Sequence, residues 1–545
     1  MMTIFKKISL CIILSLQINV FAQSNGFEVI KNLELIDLIY MNLDKYYVDD
    51  PKIGEISKNG IDAMLNSLDP YTVYYHEANI EDYRMMTTGQ YGGIGALIRQ
   101  VGDYVVIAEP YEDMPADKAG LRAGDKILSI DGRSMKGKNS DEVSGALKGT
   151  KGSTITIEYD RPGKGVSQAK VTRDEIKLPD IPYSGMVSED IGYIQLNTFT
   201  QTASKNVRDA YEKLVSQGMK KVILDLRGNG GGLLIEAVDI VNFFVPKDQT
   251  IVKTKGRILD ENRTYNTRNK PIDLEIPVVV LVNETSASAS EIVAGSIQDL
   301  DRGVIIGNTT FGKGLVQRNF DLKYGSKIKI TIAKYYTPSG RCVQKLDYYH
   351  KTDNKVDEIP DSLITVFKTK NGREVIDGRG IVPDIEIEEE SIGRLTVTLI
   401  AENIIFDYAT QFVLSNESIA SPDNFKLSDS EYEAFKNYVL NKDIAYTTAS
   451  EEQMKKLLKT AKEEGYEEDI IREYEALYEK VKASTKKDLE LFEDQIKDVL
   501  QSEIVSRYYY QEGRVINSFQ NDKALKEAID VLNNQKKYKE ILLPS

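Results

Sequence analysis

Three serines at alternate positions, Ser286, Ser288 and Ser290, stand in the run PVVVLVNETSASASEIVAGSIQDL, residues 277–300. The apolar residues read as a buried strand ending at Val282, and a small-residue turn then leads into a helix beginning near Ser288 to Glu291. A hydroxyl at that point faces unpaired N–H groups and the positive end of a helix dipole, which favour developing negative charge. The same placement also suits serines that only cap the helix. The next segment, RGVIIGNTTFGKGLVQ, carries Lys313 between Gly312 and Gly314. Flanking glycines let the backbone approach closely and can present a partly buried amine instead of a snorkelling one. An ordinary lysine has a pKa of about 10.4, so a base role near neutrality needs a depression of about three units, roughly 4 kcal/mol, which burial can supply. Gln317, four positions on, is close enough on a helix or on one face of a strand to orient the amine. The third element is KVILDLRGNGGGLLIEAVDIV, a strand running into Asp225-Leu226-Arg227-Gly228-Asn229-Gly230-Gly231-Gly232 and then a helix. Such a turn offers converging backbone N–H donors for a phosphate or an oxyanion. No Gly-Lys-Ser/Thr follows and the dinucleotide fingerprint does not fit, so with Ser288 nearby the oxyanion reading is the stronger.

Composition narrows the chemistry further. The chain has 545 residues, 41% apolar and 28% charged, with 38 Gly, 15 Pro and no Trp, which excludes collagenous or wholly disordered classes. Lys plus Arg number 70 against 84 Asp plus Glu, a formal charge of −14, so the overall field does not favour nucleic acid. Two Cys, Cys11 and Cys342, and two His, His76 and His350, rule out Cys/His zinc clusters. Both histidines sit in Tyr-rich polar stretches without a nucleophile motif, so proton chemistry falls to Lys, Asp or Glu.

The elements that position these residues follow from the pattern. Residues Phe27 to Met86 read as helical, with Leu33, Ile36, Ile39, Tyr40 and Leu43 at helical spacing and a break at Leu68-Asp69-Pro70-Tyr71-Thr72. From Gly89 to Ile176 come short β-type runs (VVIAEP, KILSI, TITIEY) and a helical piece near Ser140 to Leu147. From Asp180 to Ile387, strand-like runs (IGYIQL, KVILDL, PVVVLV, GVIIG, KIKITIAKYY) alternate with helical ones, the pattern of an α/β layer with a largely parallel sheet. Beyond Leu395 the chain is rich in Glu, Lys, Tyr and Leu, and Met454, Leu457, Leu458, then Ile470, Tyr474, Leu477, mark amphipathic helices. The polar stretch Ser415 to Ser430 reads as a loop.

The three chemical elements, in this order, resemble the C-terminal processing peptidases, the tail-specific serine proteases of family S41 that use a Ser/Lys dyad. The resemblance implies Ser288 as nucleophile, Lys313 as general base and Gln317 as its orienting partner. It implies an oxyanion hole from the N–H of Ala289 and a glycine of the DLRxNxGG turn, Gly232 among the three. It extends to Leu68-Asp69-Pro70, to Tyr335-Tyr336-Thr337-Pro338-Ser339-Gly340-Arg341 and to Gly380-Ile381-Val382-Pro383-Asp384, covering Phe27 to Ile387. The β-rich module, with QYGGIGA (90–96) followed by AGLRAGDKILSIDG (119–132), is similar to the PDZ domain of these peptidases. A glycine-lined loop at Gly92, Gly93, Ile94 and Gly95 before an open strand edge can hold a peptide carboxylate while the peptide adds as a strand. Arg122 reads as a solvated turn residue or as a sensor of substrate or core. The penicillin-binding alternative is absent, because its Ser and Lys lie three apart on one helix.

The expected architecture is α+β and multidomain: an α/β serine-protease core with an inserted β-rich PDZ domain, an N-terminal helical cap and a C-terminal helical domain. Its segments are 1–22 signal peptide, 23–88 helical region, 89–176 PDZ domain, 177–394 core and 395–545 helical domain. Lys6 and Lys7, an apolar run from Ile8 to Val20, and Val20-Phe21-Ala22 before Gln23 read as a secretory signal, too short to span a bilayer. Cleavage near Ala22 removes Cys11 and takes the formal charge from −14 to −16, leaving Cys342 and no internal disulfide. The expected product is soluble and exported, in a bacterial periplasm or on the outer face of the inner membrane. No metal or organic cofactor is required. The partners are proteins or peptides with free C-terminal tails, apolar or basic rather than acidic, and not nucleic acid. An adaptor, self-association through the tail helices, and a latent PDZ-type binding or chaperone protein stay open.

Overall fold

The computed structural model describes residues 26–76, 89–352, 355–388 and 391–543, so the expected signal stretch 1–22 and Cys11 lie outside the described residues. The chain divides into two compact units, Met1–Glu77 with Gln317–Thr331, and Ala78–Val316 with Ile332–Ser545.

In the first unit a helix over 26–46 precedes the helix Ile53–Asn66 and the strand Val73–Tyr75. The helical spacing of Leu33, Ile36 and Ile39 does not translate into burial, since all three are exposed. The break after Leu68 is made by Asp69, whose Oδ1 accepts the N–H groups of Tyr71 and Thr72, both at 2.8 Å. The expectation of helix through Met86 fails at Val73–Tyr75, which pairs antiparallel with residues 327–329. That partner lies far along the sequence, where local periodicity does not reach.

In the second unit the β-rich module forms an antiparallel sheet in the order Ala96–Val101, Tyr104–Pro110, Lys126–Ile130, Thr154–Arg161, Gly165–Thr172. Its core holds Val105, Ile107, Leu121, Ile127, Val143 and Ile157. The helix Ser140–Leu147 starts at a reciprocal cap, Asn139 and Glu142 each accepting the other's backbone N–H.

The sheet that carries the site runs Tyr183–Met186, Ile191–Gln195, Lys221–Asp225, Val278–Val282, Val304–Gly307, Ile385–Glu386. Only the first pairing is antiparallel. Its middle strands are apolar on both faces, as a doubly covered parallel sheet requires. One face packs against the helices Ala203–Ser216, Leu234–Val241 and Ala289–Asp299. The other is covered from the far end of the chain: Ala524, Leu525, Ala528, Val531 and Leu532 of the helix Lys523–Asn533 pack on Tyr193, Ile223, Val279, Leu281 and Ile306. The helices Arg394–Ala401, Asp429–Leu440 and Glu493–Ser518 build a separate core around Leu395, Leu399, Tyr432, Phe435, Leu500 and Ile504. Packing on the parallel sheet is thus one task of the tail. The helix Glu467–Val481 buries no residue, although Ile470, Tyr474 and Leu477 have helical spacing. Among the described residues no single helix is long and apolar enough to cross a membrane.

Candidate active site

The fully buried strand Val278–Val282 ends against the glycine turn that follows the neighbouring strand Lys221–Asp225. Two of the three serines tie the turns together. Ser286 Oγ donates to Leu226 O at 2.8 Å, Ser290 Oγ to Asn229 O at 2.9 Å, and Ala287 N–H to Asn229 O at 3.0 Å. Both of these serines are buried and committed. Ser288 differs: it is half-buried and caps the helix Ala289–Asp299 at φ 57°, ψ −109°. A non-glycine residue there stores of order 1–3 kcal/mol of strain and stands on a sharp strand-to-helix corner.

The corner is held by Glu291, a fully buried residue. Its Oε2 accepts the backbone N–H groups of Ser288 and Lys313, both at 2.8 Å. Its Oε1 accepts Thr310 Oγ1 at 2.6 Å and Gly312 N–H at 2.7 Å. Burial pushes this carboxyl above its ordinary value, and the four donors work in the opposite sense, toward the anion. The two backbone nitrogens of Ser288 and Lys313 therefore lie within twice 2.8 Å of each other. Lys313 is half-buried. Its flanking glycines exist for close approach, as a Cβ on Gly312 would meet Lys345 Cβ at 2.5 Å and one on Gly314 would meet Gln344 N at 2.7 Å. Gly312 O accepts Lys345 N–H at 2.9 Å, and Gly314 N–H donates to Gln344 Oε1 at 2.8 Å.

Gln317 belongs to the first unit, where its amide nitrogen donates to Thr331 Oγ1 at 3.3 Å. Thr331 in turn donates to Asp69 Oδ1 at 3.2 Å, so the Leu68-Asp69-Pro70 motif and Gln317 share one hydrogen-bond chain.

The glycine turn presses on the serine corner through Gly231. A Cβ there would lie 2.7 Å from Ala287 O, 2.8 Å from Ser288 Cβ and 2.9 Å from Ala289 N. Gly231 N–H is bound by Asn229 Oδ1 at 2.8 Å, and Gly231 O accepts Phe199 N–H at 3.1 Å. The N–H of Gly232 lies in the same trans peptide as that carbonyl, so it points away from Phe199. Ala289 N–H occupies the first helical position, which has no intrahelical acceptor.

Further residues support this frame, and sequence reasoning had not assigned them roles. Glu291 stands three positions after Ser288, the spacing of a capping box, a signal that could have marked it. Buried Tyr335 donates to Ser288 O at 3.2 Å. Thr337 and Ser339 hold the far end of the serine helix through Asp299 Oδ2, at 2.5 and 3.0 Å, and buried Arg341 donates to Gln298 Oε1 at 2.6 Å. Ile381 N–H donates to Thr310 Oγ1 at 2.7 Å, so the Gly380–Asp384 motif steadies the hydroxyl that holds Glu291.

In the PDZ-like module, Gly92 and Gly93 lie on a short strand paired with Glu175 and Asp174. Ile94 buries its side chain in the module core and Gly95 has φ +71°. They lead directly into Ala96–Val101, the edge strand of the sheet, beside the helix Ser140–Leu147. An unpaired edge next to a glycine loop can accept an added peptide strand. Arg122 Nη1 is paired with Asp117 Oδ1 at 2.8 Å and remains half exposed.

Comparison with known proteins matches residues 190–349 to "Peptidase family S41", 106–161 to "PDZ domain" and 395–532 to "Probable PDZ-protease, C-terminal helical domain". A carboxy-terminal-processing protease of Bartonella bacilliformis is 36% identical over 342 residues, 61% of this chain and 78% of that protein. A protein of Staphylococcus aureus named "Probable CtpA-like serine protease" is 35% identical over 314 residues, 57% of this chain and 62% of its own length. A solved photosystem II D1 C-terminal processing protease is 28% identical, covering 65% of this chain and 86% of that one, with a TM-score of 0.36. The chain belongs to peptidase family S41, as a PDZ-bearing serine peptidase of the carboxy-terminal-processing group.

Proposed function

We propose that this chain is an exported endopeptidase that captures substrate C-terminal tails on its PDZ module and hydrolyses peptide bonds with Ser288 and Lys313. Ser288 Oγ attacks the scissile carbonyl, and neutral Lys313 accepts its proton and returns it to the leaving amine. Ala289 and Gly232 N–H groups hold the oxyanion. The shared tether of Ser288 and Lys313 on Glu291 Oε2 carries this reading, because it fixes both candidate residues on one rigid, buried atom.

The glycine loop Gly92–Gly95 takes the tail carboxylate on its N–H groups while the tail adds along Ala96–Val101. Residues 1–22 direct export, and the mature charge of −16 favours apolar or basic tails over acidic ones. Cleavage of an unfolded reporter ending in an apolar tail tests carboxylate capture when repeated with the tail amidated. Amidation is expected to raise KM several-fold with kcat little changed. Equal KM for both tails would remove the carboxylate from recognition.

A further inference from the structure

The glycine turn between Arg227 and Gly232 has little stiffness of its own, since four of the five residues after Arg227 are glycine. Its position depends on the side chains that anchor its ends. At the far end Asn229 does this, donating from Nδ2 to Leu196 O at 2.7 Å while Oδ1 accepts Gly231 N–H. At the near end Ser286 Oγ holds Leu226 O and Asn283 Oδ1 accepts Gly228 N–H at 3.0 Å, and Arg227 adds a third anchor, its guanidinium lying between two carboxylates far apart in sequence. Asp225 is buried and receives Nε at 3.0 Å and Nη2 at 2.5 Å, with Tyr193 OH on the same Oδ2 at 2.5 Å. Asp522 receives Nη1 on Oδ1 at 3.0 Å and Nη2 on Oδ2 at 2.6 Å, a two-pronged contact that suits the planar fork.

Asp522 is itself fixed twice over. Its Oδ1 caps the helix Lys523–Asn533 by accepting Leu525 N–H at 2.9 Å, and that helix is the one whose apolar face covers the catalytic sheet. Burial alone would weaken the charge on Arg227, but the Asp225 and Asp522 carboxylates reverse this and hold it firmly cationic. A cleft of about 560 Å³ opens beside the clamp, lined by Tyr193, Asp225, Arg227, Asn517 and Asp522.

We infer that Asp522, supplied by the C-terminal helical segment, is a positioning residue for the peptidase site: it completes the clamp on Arg227 that sets where the Gly232 N–H stands relative to Ser288. The inference rests on the proposed oxyanion role of that turn. It gives the tail a part in catalysis besides covering the sheet.

Asp522→Asn tests it, because asparagine caps a helix as well as aspartate and keeps the shape while removing the charge pair. Full-length protein is assayed on the tailed reporter, with a peptide boronic acid as a probe of the oxyanion hole. Expected are a melting temperature close to that of the unchanged chain, KM within twofold, and parallel losses of about tenfold in kcat and in boronate affinity. Asp522→Glu is expected to recover part of both. An unchanged kcat in Asp522→Asn overturns the inference, as does a loss of kcat that comes with a lowered melting temperature and untouched boronate affinity. Ser288→Ala is run alongside: cleavage by it would sink the nucleophile reading, whereas silence there with full kcat in Asp522→Asn sinks only the role of Asp522.

Discussion

Ser288 and Lys313 donate their backbone N–H groups to one and the same oxygen, Glu291 Oε2, each at 2.8 Å. A carboxyl oxygen shared in this way couples the strand-to-helix corner to the glycine-flanked lysine segment, so neither can shift without breaking a buried hydrogen bond. Removing an acceptor from buried N–H donors is what makes such a site brittle.

Glu291→Gln keeps size and burial but replaces one acceptor oxygen by an amide nitrogen that faces existing donors. Each buried N–H or O–H left unmatched costs about 1–3 kcal/mol. A lowered melting temperature and a loss of at least about a hundredfold in kcat are expected, a size comparable to removing one oxyanion donor. Thermal denaturation and steady-state kinetics on the reporter check both. A variant with full kcat would show that the shared tether is dispensable.

Two glycines of the turn provide an internal contrast. Gly231 has φ +102° and room for no Cβ, with Ala287 O, Ser288 Cβ and Ala289 N all under 3.0 Å away. Gly228 has φ +75° but open space around it. Gly231→Ala is expected to reduce kcat at least about a hundredfold by displacing the serine corner. Gly228→Ala is expected to cost roughly 1–2 kcal/mol of backbone strain and keep most of the activity. Comparable losses in the two variants would contradict this assignment of roles.

Covering of the sheet by the tail predicts a stability effect far from the chemistry. Leu525 is buried against the outer face of the parallel sheet, so Leu525→Ala is expected to destabilise by about 2–5 kcal/mol, measured by denaturant unfolding of the full chain. A change below about 0.5 kcal/mol, the range of ordinary surface substitutions, would mean that this helix does not seal the sheet in solution.

If the loop before the edge strand holds the tail, changing it should affect recognition and not chemistry. Gly95 has φ +71°, and a Cβ there would meet Met114 Cβ at 2.5 Å. Gly95→Val is expected to raise KM for the tailed reporter about tenfold or more while leaving cleavage of a short tail-less peptide within twofold. Equal effects on both substrates would place the loop outside tail recognition.

Much of this was legible in the residue pattern, and the gaps have physical causes. The Val278–Val282 strand, the helix after Ser288 and the close approach at Gly312 and Gly314 follow from apolar runs and glycine placement, which are local signals. The capping-box spacing of Glu291 after Ser288 was not read, and its second task, holding Lys313, needed the fold. The strand Val73–Tyr75 was missed because its partner lies more than 250 positions on. The helix Lys523–Asn533 has a clear apolar stripe, yet no stripe names its partner, and Tyr193 and Leu281 lie far away in sequence. Asp522 looks like any helix cap until Arg227 is found on its other side.

The most direct test of the central claim is digestion of an unfolded reporter with an apolar tail by the unchanged protein, by Ser288→Ala and by Lys313→Ala. Both variants should fold, since Ser288 Oγ is not among the hydroxyls that bind the turns together and Lys313 is held at its backbone. Cleavage by the unchanged protein with loss in both variants is the result expected of a Ser/Lys dyad. Cleavage at the full rate by either variant would remove that residue from the mechanism and contradict the account.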